Sequence, residues 1–169
     1  LGFSPDQVAK EQPGIIYASL SAYGPKGPWA DRRGFDSLMQ TVSGLNAAEA
    51  EALGSSQPTP LPNQALDHAT GYLLAFGVMA ALLRRAQEGG SWHVQVSLAQ
   101  TGQWLQNLGQ IDHGFNVKDQ TAADIGKFLE TSPSGFGKLT SIRHAGILSQ
   151  TPAYWTLPSQ PLGHHLPLW

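Results

Sequence analysis

The sequence predicts an α/β fold with parallel strands, and two stretches carry that expectation. In the first, Ser4-Pro5-Asp6 opens a short helix that Pro13-Gly14 stops, and Ile15-Ile16-Tyr17-Ala18-Ser19-Leu20 follows as an apolar run of strand length. In the second, a long apolar run from Ala69 to Leu83 closes at Gly89-Gly90, after which Trp92, Val94 and Val96 alternate with His93, Gln95 and Ser97. Helix then strand is the second half of a βαβ unit, and strands joined in that way run parallel. The unit's first strand is expected upstream of Leu1.

The remaining elements follow in order. Ala22 to Arg33, broken by Gly24-Pro25 and Gly27-Pro28 and followed by Gly34, reads as a loop at the C-terminal end of the first strand. That edge is where open α/β sheets bind ligands. Phe35 to Gly44 reads as a helix with Phe35, Leu38, Met39 and Val42 on one face, and Asn46 to Pro62 as an irregular excursion. Apolar residues fill nearly every position of the long helix that ends near Gln87, so it is expected to be buried on most sides. Ala99 to Leu108 forms a further helix through Trp104, Leu105 and Leu108. Residues 1–108 form one domain segment; 109–169 form a variable segment, with a short helix within Asp112–Thr131, strands within Leu139–Leu148 and an extended C-terminal tail from Pro152.

Composition excludes several function classes. The net charge is −2 and the basic residues cluster no further than Arg32-Arg33 and Arg84-Arg85, so no nucleic-acid partner is expected. Without cysteine there is no disulfide, thiolate nucleophile or Cys-based zinc site, which fits a cytoplasmic protein. The apolar run is shorter than a membrane span and is interrupted by Gly71 and Gly77. His164-His165 lacks a third ligand at suitable spacing, so no metal is expected. Ser134-Gly135-Phe136-Gly137-Lys138 lacks the spacing of a phosphate loop. The chain opens on Leu, and charged residues make up only 13%, about half the usual share. Both suggest a piece whose surface is covered by further sequence or by a partner chain.

Asp67 stands between the proline-rich loop ending at Pro62 and the long helix. It fits two roles. Asp is a favoured helix cap, and a carboxylate at the positive end of a helix in poorly hydrated surroundings also suits a nucleophile.

Three stretches bear on the choice. They are Ile15 to Trp29, continuing through Arg33-Gly34-Phe35-Asp36 and Gln40 to Ser43-Gly44; Leu66-Asp67-His68-Ala69-Thr70-Gly71-Tyr72 with Ala81-Leu82-Leu83-Arg84-Arg85; and Gly89-Gly90-Ser91-Trp92-His93-Val94-Gln95-Val96-Ser97-Leu98. In order and spacing they resemble the class III CoA-transferase family, which includes formyl-CoA transferase, the carnitine CoA-transferases and the alpha-methylacyl-CoA racemases. The resemblance covers roughly residues 1–108, with a weaker echo at Pro161-Leu162-Gly163-His164-His165. It implies part of a Rossmann-like parallel-sheet large domain, with Asp67 on the acyl-accepting aspartate. Coenzyme A is then a substrate, with no bound cofactor and with acyl-CoA and a carboxylic acid as reactants. Family members form interlaced dimers, so a homodimer or association with the missing N-terminal part is expected.

Other site residues follow from the same resemblance. Arg33 and Phe35 fall where the family lines the thioester end of the CoA channel, and Tyr23, Gly24 and Lys26 lie on the ligand-edge loop, Lys26 as a phosphate partner or a plain surface lysine. His68 is a polar neighbour, turned about 100° from Asp67 around the helix. Family racemases draw a His from the segment that here reads Arg33-Gly34-Phe35-Asp36, and its absence favours transfer over racemisation. The alternatives are a CoA-ester racemase or hydratase-like relative, or a non-catalytic CoA-binding or assembly module. With about half a site present, the chain alone is expected neither to bind CoA tightly nor to turn it over.

Overall fold

The computed structural model describes residues 2–166 and residue 168, and the chain divides into two compact units, Leu1–Phe115 and Asn116–Trp169. In the first, α1 (Pro5–Glu11) begins at Ser4, whose hydroxyl oxygen accepts from the Gln7 amide. Then come β1 (Ile16–Ser21), α2 (Asp36–Val42), α3 (Leu45–Leu53), α4 (Ala65–Glu88), β2 (Trp92–Ser97) and α5 (Leu98–Asn107). β1 and β2 pair in parallel, from Ile16 opposite Trp92 to Ser21 opposite Ser97. The α/β expectation holds at this level, and α2, α3 and α4 make up the crossover between the strands.

Three local expectations are corrected. The stretch after Asn46 is not irregular throughout: α3 occupies Leu45–Leu53, framed by Gly44 (φ 85°) and Gly54 (φ 65°), with Leu45 and Ala50 buried. Its Ala/Glu run has the helix propensity that the following glycine and prolines mask in a linear reading.

Second, α2 turns the other way. Phe35 is 75% exposed, Leu38 and Val42 are exposed too, and the buried residues are Asp36, Met39 and Gln40. A carboxylate that finds backbone donors can occupy an interior position that hydropathy assigns to a phenylalanine.

Third, α4 is not buried on most sides. Only Leu66, Thr70 and Ala81 are buried, while Tyr72 (70% exposed), Phe76 (67%), Met79 and Leu83 are open to solvent. Its 24 residues are long and apolar enough to cross a membrane by length and composition, longer than the apolar run suggested. Here the helix packs on the sheet. A Cβ added at Gly77 would lie 2.6 Å from Val94 Cγ1, so the glycine sets how closely α4 approaches β2.

The buried core joins Ala22, Met39, Leu45, Leu66 and Leu98, with Tyr23, Leu61, Ala99 and Leu105 packed against it. It therefore sits under the C-terminal ends of the strands and the first turn of α4. The loop after β1 also enters it closely: a Cβ at Gly34 would meet Met39 Sδ at 2.7 Å and Ala22 Cβ at 2.9 Å.

The second unit is built on an antiparallel hairpin, β3 (Leu129–Ser134) with β4 (Gly137–Ile142), tied by Thr131 and Thr140 hydroxyls 3.0 Å apart. The single helix expected within Asp112–Thr131 is replaced by two short 3-10 turns, Gly114–Asn116 and Gly126–Phe128. Strand structure falls before Arg143 rather than running to Leu148. From Arg143 onward the described residues form no regular element.

Candidate functional site

The site is assembled around two carboxylates placed by different elements. Asp36 is the first residue of α2 and is only 4% exposed. Its Oδ2 accepts hydrogen bonds from the amides of Leu66 (2.7 Å) and Asp67 (3.1 Å), both in the first turn of α4. Its Oδ1 accepts from Gln40 Nε2, one turn along α2. Gln40 is also buried; its Oε1 accepts from the Leu61 amide at 2.8 Å, and its Nε2 lies 3.5 Å from the Asn63 carbonyl oxygen. Asn63 sits at φ 61°, a left-handed conformation that Asn tolerates well. One acid and one amide thus hold the loop before α4 and the helix start together.

Asp67 occupies the third position of α4. The capping role, one of the two open to it from sequence, belongs instead to Asp36, which takes the Asp67 amide. Asp67 itself is exposed and lines a cavity of about 400 Å³ with Phe35, Ser37, Pro60, Asn63 and Gln64. The expectation of a poorly hydrated carboxylate is corrected accordingly: α4 buries Leu66, Thr70 and Ala81, and Asp67 beside them is open to water.

One turn into α4 the helix is tied from the other side. The buried Thr70 hydroxyl donates to Thr101 Oγ1 at 2.8 Å, and Thr101 donates to the Ser97 carbonyl at 3.1 Å. Ser97 ends β2 and its Oγ accepts from the Gln100 amide at the start of α5. The helix start is therefore anchored both to α2 and to the end of the sheet.

A second cavity, of about 550 Å³, lies at the C-terminal ends of β1 and β2 and is lined by Ser21, Tyr23, Lys26, Ser97, Gln100 and Trp104 among others. Gly24 contributes here too, at φ 90°, with its amide donating to Ser21 Oγ at 3.1 Å. The Ala99 amide donates to the Ala22 carbonyl and binds this loop to α5. Tyr23 and Trp29 meet edge to face, ring centres 5.4 Å apart.

The residues singled out from sequence therefore separate. Asp67 and Phe35 share one cavity, and Tyr23, Gly24 and Lys26 line the other. Arg33 and His68 are exposed and line neither. Sequence reading passed over Asp36, Gln40 and Thr70 as site residues, and Thr101 entirely. The available signal was an acid and an amide at i and i+4, on one helical face, directly after Gly34-Phe35. Among the described residues no group of three His, Cys, Asp or Glu could hold a metal ion. An accessible carboxylate on a braced helix start can attack an electrophilic carbonyl.

Comparison with known proteins places this geometry in context. Residues 1–135 match the family model described as CoA-transferase family III. A probable fatty acyl-CoA transferase of Mycobacterium tuberculosis is 37% identical over 106 residues, 63% of this chain and 26% of the relative. The (R)-2-hydroxy-4-methylpentanoate CoA-transferase of Clostridioides difficile is 36% identical over 101 residues, 60% of this chain and 25% of that protein. The crystal structure of the M. tuberculosis protein superposes with a TM-score of 0.57 at 36% identity, covering 63% of this chain and 30% of its own. The chain thus spans about a quarter of the length of these curated relatives.

Proposed function

This chain belongs to CoA-transferase family III, and on that premise we propose that it carries the nucleophile of an enzyme moving coenzyme A from an acyl-CoA thioester to a carboxylic acid. The Asp67 carboxylate attacks the thioester carbonyl; the C–S bond breaks, CoA leaves as thiolate, and a mixed aspartyl anhydride remains. The thiolate then attacks the aspartyl carbonyl, releasing the donor acid and leaving an aspartyl thioester. The acceptor carboxylate displaces the thiolate from that carbonyl. A final attack by thiolate on the acceptor's own carbonyl yields the new acyl-CoA and restores Asp67.

The observation that carries this reading is the division of labour at α4. Asp36 caps the helix, so Asp67 is left at the same helix start with its carboxylate facing a cavity. Phe35 shares that cavity and is assigned to the acyl end. Tyr23, Gly24 and Lys26, at the strand-end cavity, are assigned with Arg33 to the CoA side, and His68 to a flanking polar role. With no histidine between Arg33 and Asp36, the alpha-proton chemistry of a racemase lacks its base.

An anhydride survives only where water is kept out, and Asp67 is exposed. Further polypeptide, from a longer chain or a second copy, completes the enclosure in this reading. In its support, the parallel sheet has two strands among the described residues, while Leu20 on β1 and Tyr72 and Phe76 on α4 lie open. The parallel pair then forms part of a Rossmann-like large domain, with residues 109–169 as variable segment and extended tail, working in the cytoplasm.

The test is covalent. The native protein, isolated with any partner it carries, is incubated with acetyl-CoA, quenched and digested. An acetyl or CoA adduct on the peptide containing Asp67 is expected. CoA movement without any adduct there, or alpha-proton exchange without CoA movement, refutes the proposal.

A further inference from the structure

We infer that Asp36 is a positioning residue for the transfer step, holding Asp67 free for attack; the inference rests on Asp67 being the nucleophile. A helix start presents backbone N–H groups that have no intrahelical partner, and an acidic side chain in the first turn is drawn to them. Left alone, Asp67 at the third position of α4 would fold its own carboxylate back onto those donors. A carboxylate tied down in that way is stabilised in its ground state and reacts poorly, because only interactions stronger in the transition state help the rate.

Asp36 removes the competitor. One of its oxygens occupies the Leu66 and Asp67 amides at 2.7 and 3.1 Å. The other is held by Gln40, which is itself fixed by the Leu61 amide. Asp36 is 4% exposed and no cation pairs with it among the described residues, since Arg84–Glu88 is the ion pair found there. A buried acid held by hydrogen bonds without a cation is a costly choice for a simple cap, whereas Ser or Asn caps a helix without burying a charge. The charge is explained if its task is to saturate both donors and exclude a second carboxylate from them. Two further consequences follow. The Leu66 and Asp67 amides are unavailable to stabilise the oxyanion of the acyl step, so that duty falls to other groups. The negative charge of Asp36 also adds no attraction that would draw Asp67 inward.

The test separates position from stability. In the native protein with acetyl-CoA as probe, Asp36→Asn should lower kcat by 10- to 100-fold with KM changed less than about threefold, the size of loss that small misplacement of a reacting group produces. Asp36→Glu, which retains two carboxylate oxygens, should recover part of that loss. Wild-type kcat in folded Asp36→Asn overturns the inference, as does a loss carried by KM alone. If Asp36→Asn does not fold, Gln40→Met, which loosens Asp36 but keeps both acids, is read in the same way; a fall in its kcat supports the inference and a wild-type kcat overturns it. Failure of the underlying reading looks different: Asp67→Ala would then retain transfer, whatever Asp36 does.

Discussion

The two units of this chain differ in what holds them together. Among the described residues every buried hydrophobic one lies in the first unit, from Ala22 to Leu98, and that unit's long-range ties are both apolar and polar. In the second, the hairpin is closed by its own ladder while Phe136, Ile142, Ile147 and Leu148 lie exposed. Free energy and chemistry are therefore concentrated in the same unit. The polar network that places the candidate nucleophile is continuous with the core that stabilises it, through Leu66 and Met39 on one side and Thr70 and Thr101 on the other.

The largest contrast is catalytic. Asp67→Ala should reduce CoA transfer by the native protein to background, because the covalent path is lost. Its stability should change by no more than about 1 kcal/mol, since the cap belongs to Asp36 and only an interaction with the helix dipole is removed. Transfer near the wild-type rate would break the link between the network and function.

Next is the pair of glycines in α4. Gly77→Val places atoms where Val94 already sits and should cost roughly 2 kcal/mol, the scale of overpacking. Gly71 has nothing within 4 Å of an added Cβ, so Gly71→Ala should stabilise by about 0.5–1 kcal/mol through helix propensity alone. Urea midpoints that shift in opposite directions sharpen the comparison; equal shifts would mean that the packing of α4 on β2 contributes nothing.

In the second unit, Ile147→Asn should alter stability by no more than about 0.5 kcal/mol, as an exposed substitution does. A clearly larger loss would show an apolar contact that the hairpin unit depends on. The smallest effect is a local one of pH. The Thr121 hydroxyl and then its amide hold the Asp124 carboxyl below its ordinary value. A group depressed in the fold contributes stability above its unfolded value and loses it as pH falls through the folded one. The turn at Thr121–Asp124 should therefore loosen only below about pH 4, seen as a change in amide shifts there.

The parts of the fold visible in sequence were those with a period or a stop signal. β2 was legible because Trp92, Val94 and Val96 alternate with polar residues, and α1 because Ser4-Pro5 writes a helix start. α3 was not, since its buried residues Leu45 and Ala50 make too thin a stripe beside Gly54 and the prolines. At the site, Asp67 stood out by position and resemblance, but its support did not. The inward face of α2 carries Asp36 and Gln40 because their hydrogen-bond partners come from residues 61–67, and no local pattern announces a partner some thirty residues away. The exposed stripe of α4 was misjudged for the opposite reason: apolar content reports what a helix can bury, not what a neighbour is there to cover.

The parallel pairing of β1 with β2 sets an order of assembly. Pairing Ile16 with Trp92 closes the whole stretch that holds α2, α3 and α4, and closing so long a stretch carries an entropy cost that its contacts repay late. The β3–β4 hairpin spans a few residues at its turn and can form on the order of microseconds. Asp36 and Leu66 lie inside that long loop and only some thirty residues apart, so their bond closes a shorter loop and needs no prior strand pairing. Hydrogen exchange during refolding should then protect the first turn of α4 no later than β1 and β2, so the brace around Asp67 ranks among the less costly long-range ties this polypeptide makes.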